Sequence, residues 1–230
     1  MGITPTQSHG GGVQQHSVDT VAPILLREGV PATIFLNSAF VDNRALMFRY
    51  KASLLMEHLG LSGRHSGLLE TSYSFAYQLD DFATRLHYDF RDFLATQKPY
   101  LTSDQIRELA AKGFTFGGHS HTHPLFADIS LTDQLQQAEL SVNAVQRVFA
   151  QPCRVFAFPF TGDGVGEEFF RAAPIDLAFG SGGLKTSPYK NYLQRVPMEG
   201  THHSAAELIG AEYLYALAKQ KLHNYLPNSK

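Results

Sequence analysis

Short apolar runs alternate with segments of helical periodicity along this chain, and that alternation restricts the fold more than any single residue does. Val18, Val21, Ile24 and Leu25 recur at spacings of three and four. They predict a helix capped by Ser17 and stopped at Gly29. Ala32-Thr33-Ile34-Phe35-Leu36-Asn37 then reads as a short buried strand. The order repeats with a helix at 45–60, a helix capped by Ser103 and closed by Gly113, and a strand at 114–118. Next come a helix at 131–150, a strand at 154–158, a helix at 165–173, and strands at 176–179 and 193–196. A terminal helix over 204–223, capped by Ser204, carries Leu208, Ile209, Tyr213, Leu217 and Leu222. Such repetition calls for parallel strands with helices outside, either an open sheet or a (β/α) barrel; period alone does not separate the two.

Residues 17–230 are read as one domain with an insertion at about 45–100, whose stretch 61–100 is aromatic-rich and partly helical. Residues 1–16, polar with glycines at 10–12, read as a flexible lead-in or an atypical, damaged segment. At 230 residues and 43% hydrophobic content, the chain can bury a substantial core. Nineteen Lys and Arg against twenty-one Asp and Glu give a net charge of -2, which does not point to nucleic acid or an anionic membrane. Cys153 stands alone, so no internal disulfide can form. No apolar run is long enough to span a bilayer, and residues 1–17 lack the basic cluster and apolar core of a signal peptide. The default expectation is therefore a cytoplasmic protein.

Eleven histidines are many for this length, and three of them, His119, His121 and His123, fall within Gly117-Gly118-His119-Ser120-His121-Thr122-His123-Pro124. The segment follows a predicted strand, and in α/β proteins sites form at the C-terminal ends of strands. A helical turn there places His119 and His123 at i and i+4, the spacing two imidazoles need to share one divalent metal, and turns His121 away. Paired imidazoles favour Zn, Co, Ni or Fe. The two glycines allow close approach of backbone or ligand. A third ligand, a carboxylate or another imidazole, is still required.

The histidine segment resembles the second motif of the polysaccharide deacetylase family, the NodB-like carbohydrate esterases, which reads His-Ser/Thr-x-x-His. Ala22 through Leu25 and Gly29 through Phe35 look like that family's first helix and second strand. Tyr100 through Ile106 resembles the helix before the histidine motif. Arg154 and Pro159 in Arg154-Val155-Phe156-Ala157-Phe158-Pro159-Phe160 are similar to its third motif. The resemblance implies a distorted (β/α) barrel holding one divalent metal, most simply Zn, with His119 and His123 as ligands. It implies removal of acetyl groups from N-acetylated sugars, with Arg154 and His202 as candidate catalytic residues. Pro159, Phe160, Arg195 and Glu199 are candidate substrate-binding residues. Phe156, Phe158, Phe160 and Tyr189 are aromatics able to stack on sugar or to fill core.

The chain departs from the family pattern at its start. The family's first strand carries an Asp-Asp pair, one the base and one the third metal ligand. Here the corresponding stretch reads Gly11-Gly12-Val13-Gln14-Gln15, and no Asp or Glu precedes Asp19. The first strand is expected to be missing or altered. Three explanations stand: a lost N-terminus, a degenerate member, or His9 or His16 completing the metal site. The fourth motif lacks its usual Trp, because the chain has none. The fifth reads Arg195-Val196-Pro197-Met198-Glu199, with His202 and His203 close behind. Two functions follow, a metal-dependent deacetylase or a catalytically impaired carbohydrate-binding protein on the same fold, and a fragment of an active enzyme is a variant of the first. An unfilled first-strand position exposes apolar surface and favours a homo-oligomer.

Overall fold

The predicted helix–strand order appears as one parallel sheet in the computed structural model, which describes residues 17–61, 73–149, 151, 153–198 and 203–225. Five strands lie side by side in chain order: β1 (Thr33–Leu36), β2 (Thr115–Gly118), β3 (Val155–Ala157), β4 (Leu177–Gly180) and β5 (Tyr192–Gln194). Every neighbouring pair is parallel. Among the described residues no strand precedes β1, which is the first strand of the described sheet.

Strand register sorts side chains onto two faces. Leu36, Gly118, Phe156, Ala178 and Tyr192 share the outer face, and Phe35, Gly117, Ala157, Phe179 and Leu193 the inner one. The outer face is the main core: Phe116, Phe156 and Ala178 are fully buried. Helix α6 (Leu131–Phe149) covers it with Ala138, Val142 and Val145. The inner face is curled. Phe35 and Phe179 sit on β1 and β4, yet their rings meet edge-on at 5.6 Å. In a flat sheet those strands would be about 14 Å apart. The sheet is therefore bent like a barrel wall and, among the described residues, does not close, an α/β fold of the distorted-barrel type.

The helix before β1 is shorter than its period predicts. Ser17–Val21 is a π-helical turn and α1 is Ala22–Arg27, with Pro23 in its first turn and Gly29 at φ 64° beyond its end. Ala22 is buried and Leu25 packs beside it, but Val21 and Ile24 are exposed. Among the described residues no strand on that side covers them.

Between β1 and the next strand lie α2 (Phe48–His58), α3 (Ala76–Arg85), α4 (Phe90–Gln97) and α5 (Ser103–Ala111). The first three build a separate aromatic cluster around Phe40, Phe48, Phe90 and Tyr100. Thr102, not Ser103, caps α5: its side chain accepts from Gln105 N, and Gln105 reaches back to Thr102 N in a capping box. Ser103 instead bonds Asp42 through Oγ at 2.7 Å. A short helix, α7 (Glu167–Ala172), precedes β4, and α8 (Ala205–Tyr225) ends the described chain. Ser204 Oγ accepts from Glu207 N, and Glu207 returns a bond to Ser204 N, so the expected cap is present. Ile209, Tyr213, Leu214, Tyr215 and Leu217 on α8 are all exposed. No helix among the described residues is long and apolar enough to cross a membrane.

Candidate metal centre

The histidine segment leaves β2 as a loop, which corrects the helical turn expected from the i,i+4 spacing. His119 N donates to Leu36 O at 2.9 Å and so extends the pairing of β1 with β2 by one residue. Ser120 and His123 then take positive φ, 67° and 64°. Each such non-glycine residue costs about 1–3 kcal/mol and persists only where its surroundings over-determine it. The surroundings here are specific. Asn37 Nδ2 donates to His119 O, Ala39 N donates to His121 O at 3.1 Å, and Ser38 Oγ bonds His121 Nδ1 at 2.8 Å. His123 N donates to Ser120 Oγ at 2.9 Å. From α6, Gln137 Oε1 accepts from His121 N at 2.9 Å and Thr122 N at 2.8 Å, while Gln137 Nε2 donates to Thr122 Oγ1.

The two glycines before the loop have a packing reason. A Cβ on Gly117 would lie 2.7 Å from Phe35 and Val155 side-chain atoms on the inner face. One on Gly118 would lie 2.6 Å from Ser141 Oγ and 3.1 Å from Val142 N, so α6 approaches the strand backbone directly.

The loop folds the rings of His119 and His123 together, their centroids 4.9 Å apart and their planes at 74°. His121 faces Ser38 instead, turned away from the pair although the segment is a loop and not the helical turn expected. His119 Nδ1 lies 2.8 Å from Ala157 O. A carbonyl only accepts, so Nδ1 carries the proton and Nε2 presents its lone pair. Burial among protein atoms pushes His119 down to about 4, the Ala157 bond opposes this, and Arg195 adds to the fall. Part of His119 still remains open to a ligand. His123 is buried and held well below the usual imidazole range, first by burial, then by His119 and Arg49. Both rings are thus neutral at pH 7, the state that ligates metal. His123 Nδ1 is buried and has no hydrogen-bond partner. An orphaned ring nitrogen beside a second imidazole fits a borderline cation such as Zn, Co, Ni or Fe. It fits as two donors: among the described residues no third His, Cys, Asp or Glu joins the pair.

Other residues named from the sequence divide by which end of the sheet holds them. Pro159 and Phe160 follow β3 at the histidine end. Pro159 is fully buried, and Phe160, at φ 58°, sets its ring 4.7 Å from that of His123. Arg195 follows β5 at the same end, where its Nε donates to Gly180 O at 3.1 Å and its guanidinium lies 5.6 Å from the Phe35 ring. Arg154 does not reach the histidines. It precedes β3, at the opposite end of the strand from Ala157, and is exposed, with its N donating to Asp176 Oδ2 at 2.7 Å and its O accepting from Asp176 N. Phe156 and Phe158 are core rather than sugar-facing, and Tyr189 stacks on Phe170 at 4.3 Å. His16, Glu199 and His202 lie outside the described residues.

Three site residues escaped the sequence reading. Arg49, at the start of α2, lays its guanidinium 4.2 Å over the Phe160 ring. Asn37 and Gln137 hold the loop. Asn37 ends a strand candidate and Gln137 lies mid-helix; only tertiary contact reveals either role.

The polysaccharide deacetylase family model matches residues 10–164. Among curated proteins none matches. Among solved structures, IcaB from Ammonifex degensii superposes with a TM-score of 0.50 at 12% identity, covering 88% of this chain and 69% of IcaB. At that identity the likeness is one of fold. The Streptococcus pyogenes deacetylase PplD, solved in complex with acetate, gives a TM-score of 0.46 at 13% identity over 74% of this chain. The chain spans about half of PplD's length, 53%. The family match begins at residue 10 and covers more than half of the sequence: the chain belongs to the polysaccharide deacetylase family.

Proposed function

We propose that the chain is a metal-dependent hydrolase that removes acetyl groups from N-acetylated sugars of a glycan. The observation that carries this reading is the neutral His119–His123 pair, His119 partly open with its ring oriented by Ala157 O and His123 buried with an orphaned Nδ1. Family membership supports the acyl chemistry. When bound, a divalent cation supplies Lewis acidity toward a carbonyl oxygen and acidifies water. Ala157 O fixes the His119 ring, so its Nε2 lone pair points away from the strand without rotational search. Phe160 covers His123 on one side, its ring 4.7 Å from the imidazole. Burial above all keeps protons off both imidazoles, and the positive charge of Arg195 near His119 and of Arg49 near His123 adds to it.

A second reading, a carbohydrate-binding protein without turnover, has one observation in its favour. Among the described residues no third ligand or carboxylate base joins the histidines. The two are separated by metal analysis and by acetate release. The hydrolase reading expects about one Zn per chain in purified protein, lost in His119→Ala, and acetate release from an acetylated amino-sugar oligomer. Wild-type protein that takes up no stoichiometric divalent metal would sink it. Acetate release from the same oligomer would sink the second reading.

A further inference from the structure

In the middle of the loop that carries both histidines, two backbone N–H groups are held by one side chain from another element. Gln137 sits partly buried on α6 and spends both its groups on His121 and Thr122, the residues between Ser120 and His123. Its Oε1 receives two consecutive backbone N–H groups, at 2.9 Å and 2.8 Å. Adjacent N–H groups converge in this way when a left-handed residue precedes or interrupts the run, and Ser120 supplies that turn at φ 67°. Nε2 adds a third bond, to Thr122 Oγ1 at 2.9 Å, and Tyr73 OH meets the same hydroxyl at 2.6 Å. Without Gln137 the two N–H groups lose their acceptor at the point where the chain must stay in a strained conformation.

We propose that Gln137 is a positioning residue that sets the separation and orientation of His119 and His123. This rests on the reading of those histidines as metal ligands. The flanking anchors act elsewhere: Asn37 and Ala39 bind the loop's carbonyls, and Ala157 binds one ring. Among the described residues, Gln137 supplies the acceptor for the His121 and Thr122 N–H groups between the two ligands. An acceptor at this place, rather than an amide as such, is what the geometry requires.

The test compares wild type with Gln137→Met, an apolar side chain of equal length, and with Gln137→Glu, which keeps the acceptor oxygens. Zn affinity is read by competition with a chromophoric chelator, and amide exchange at His121 and Thr122 by NMR on metal-free protein. Gln137→Met is expected to weaken Zn binding about tenfold, the lower range for residues that orient ligands. It should also speed exchange at those two amides while Phe156 and Ala157 stay protected. Gln137→Glu is expected to restore both readouts to near wild type. Should Gln137→Met fail to fold, Gln137→Asn, one methylene too short to reach, replaces it with the same expectations. Unchanged Zn affinity, or unchanged exchange at His121 and Thr122, overturns the proposal. If wild type binds no Zn, the metal reading falls by itself. The positioning role is then decided by amide exchange alone, supported by local acceleration and overturned by its absence.

Discussion

The two faces of the sheet have the same strands and opposite packing. On the outer face Phe116, Phe156 and Ala178 are completely buried under α6 and its neighbours. On the inner face Phe35 and Phe179 touch across two intervening strands, while Leu193 remains 47% exposed. The difference separates two jobs that a closed barrel merges. The outer face supplies folding energy through helix cover. The inner face supplies curvature, and its rim carries the histidines. Burial and curvature thus come from opposite faces of the same strands.

The strongest way to break this comparison is Phe156→Ala. It should cost about 3–5 kcal/mol of unfolding free energy, read by denaturant titration, as for other buried aromatic truncations. A loss below about 1 kcal/mol would mean that the outer face is not the principal core.

The rim gives a second, pH-dependent effect in metal-free protein. Burial holds His119 near 4 in the folded state, while the unfolded chain titrates near the ordinary 6.5. Between those values the unfolded chain binds more protons, so stability should fall as pH drops from about 6.5 to about 4 and His119 adds no further loss below that. His119 accounts for up to about 3 kcal/mol of that fall, and His123 shifts in the same direction. The measurement is the difference between wild type and His119→Leu across this range. A constant difference from pH 7 to 4 would contradict the buried neutral ring.

The smallest effect belongs to the inner face. Leu193→Ser should change stability by less than about 0.5 kcal/mol, as at other solvent-accessible positions. A larger loss would show that the inner face is covered in solution, for instance by a second copy of the chain.

What the sequence made legible follows the same division. Strand runs and helix periods were readable because they report burial on one face, and the order of elements came out correctly from Ala32 to Gln194. The histidine pair was readable because its spacing is local. The loop geometry was not: a period argument presumed a helix, whereas Ser120 and His123 turn left-handed under anchors 15 to 83 residues away. Arg154 fitted a motif by spacing, but three strand residues carry it to the wrong end of the sheet. Ser103 looked like a cap because it begins the helical pattern, yet Thr102 has the extended backbone a cap needs. On α8, Ile209, Tyr213 and Leu217 kept helical spacing without gaining cover, since periodicity shows which residues align and not what meets them.

The anchors of the histidine loop also dictate when the site can exist. Asn37 lies 82 residues before His119 and Ala157 lies 38 after it, so three strands and α6 must have docked before either ring is held. Contacts so distant along the chain form late and slowly. The histidine site is therefore a reporter of complete folding: a nascent or partly unfolded chain has the residues of the pair but not the pair itself.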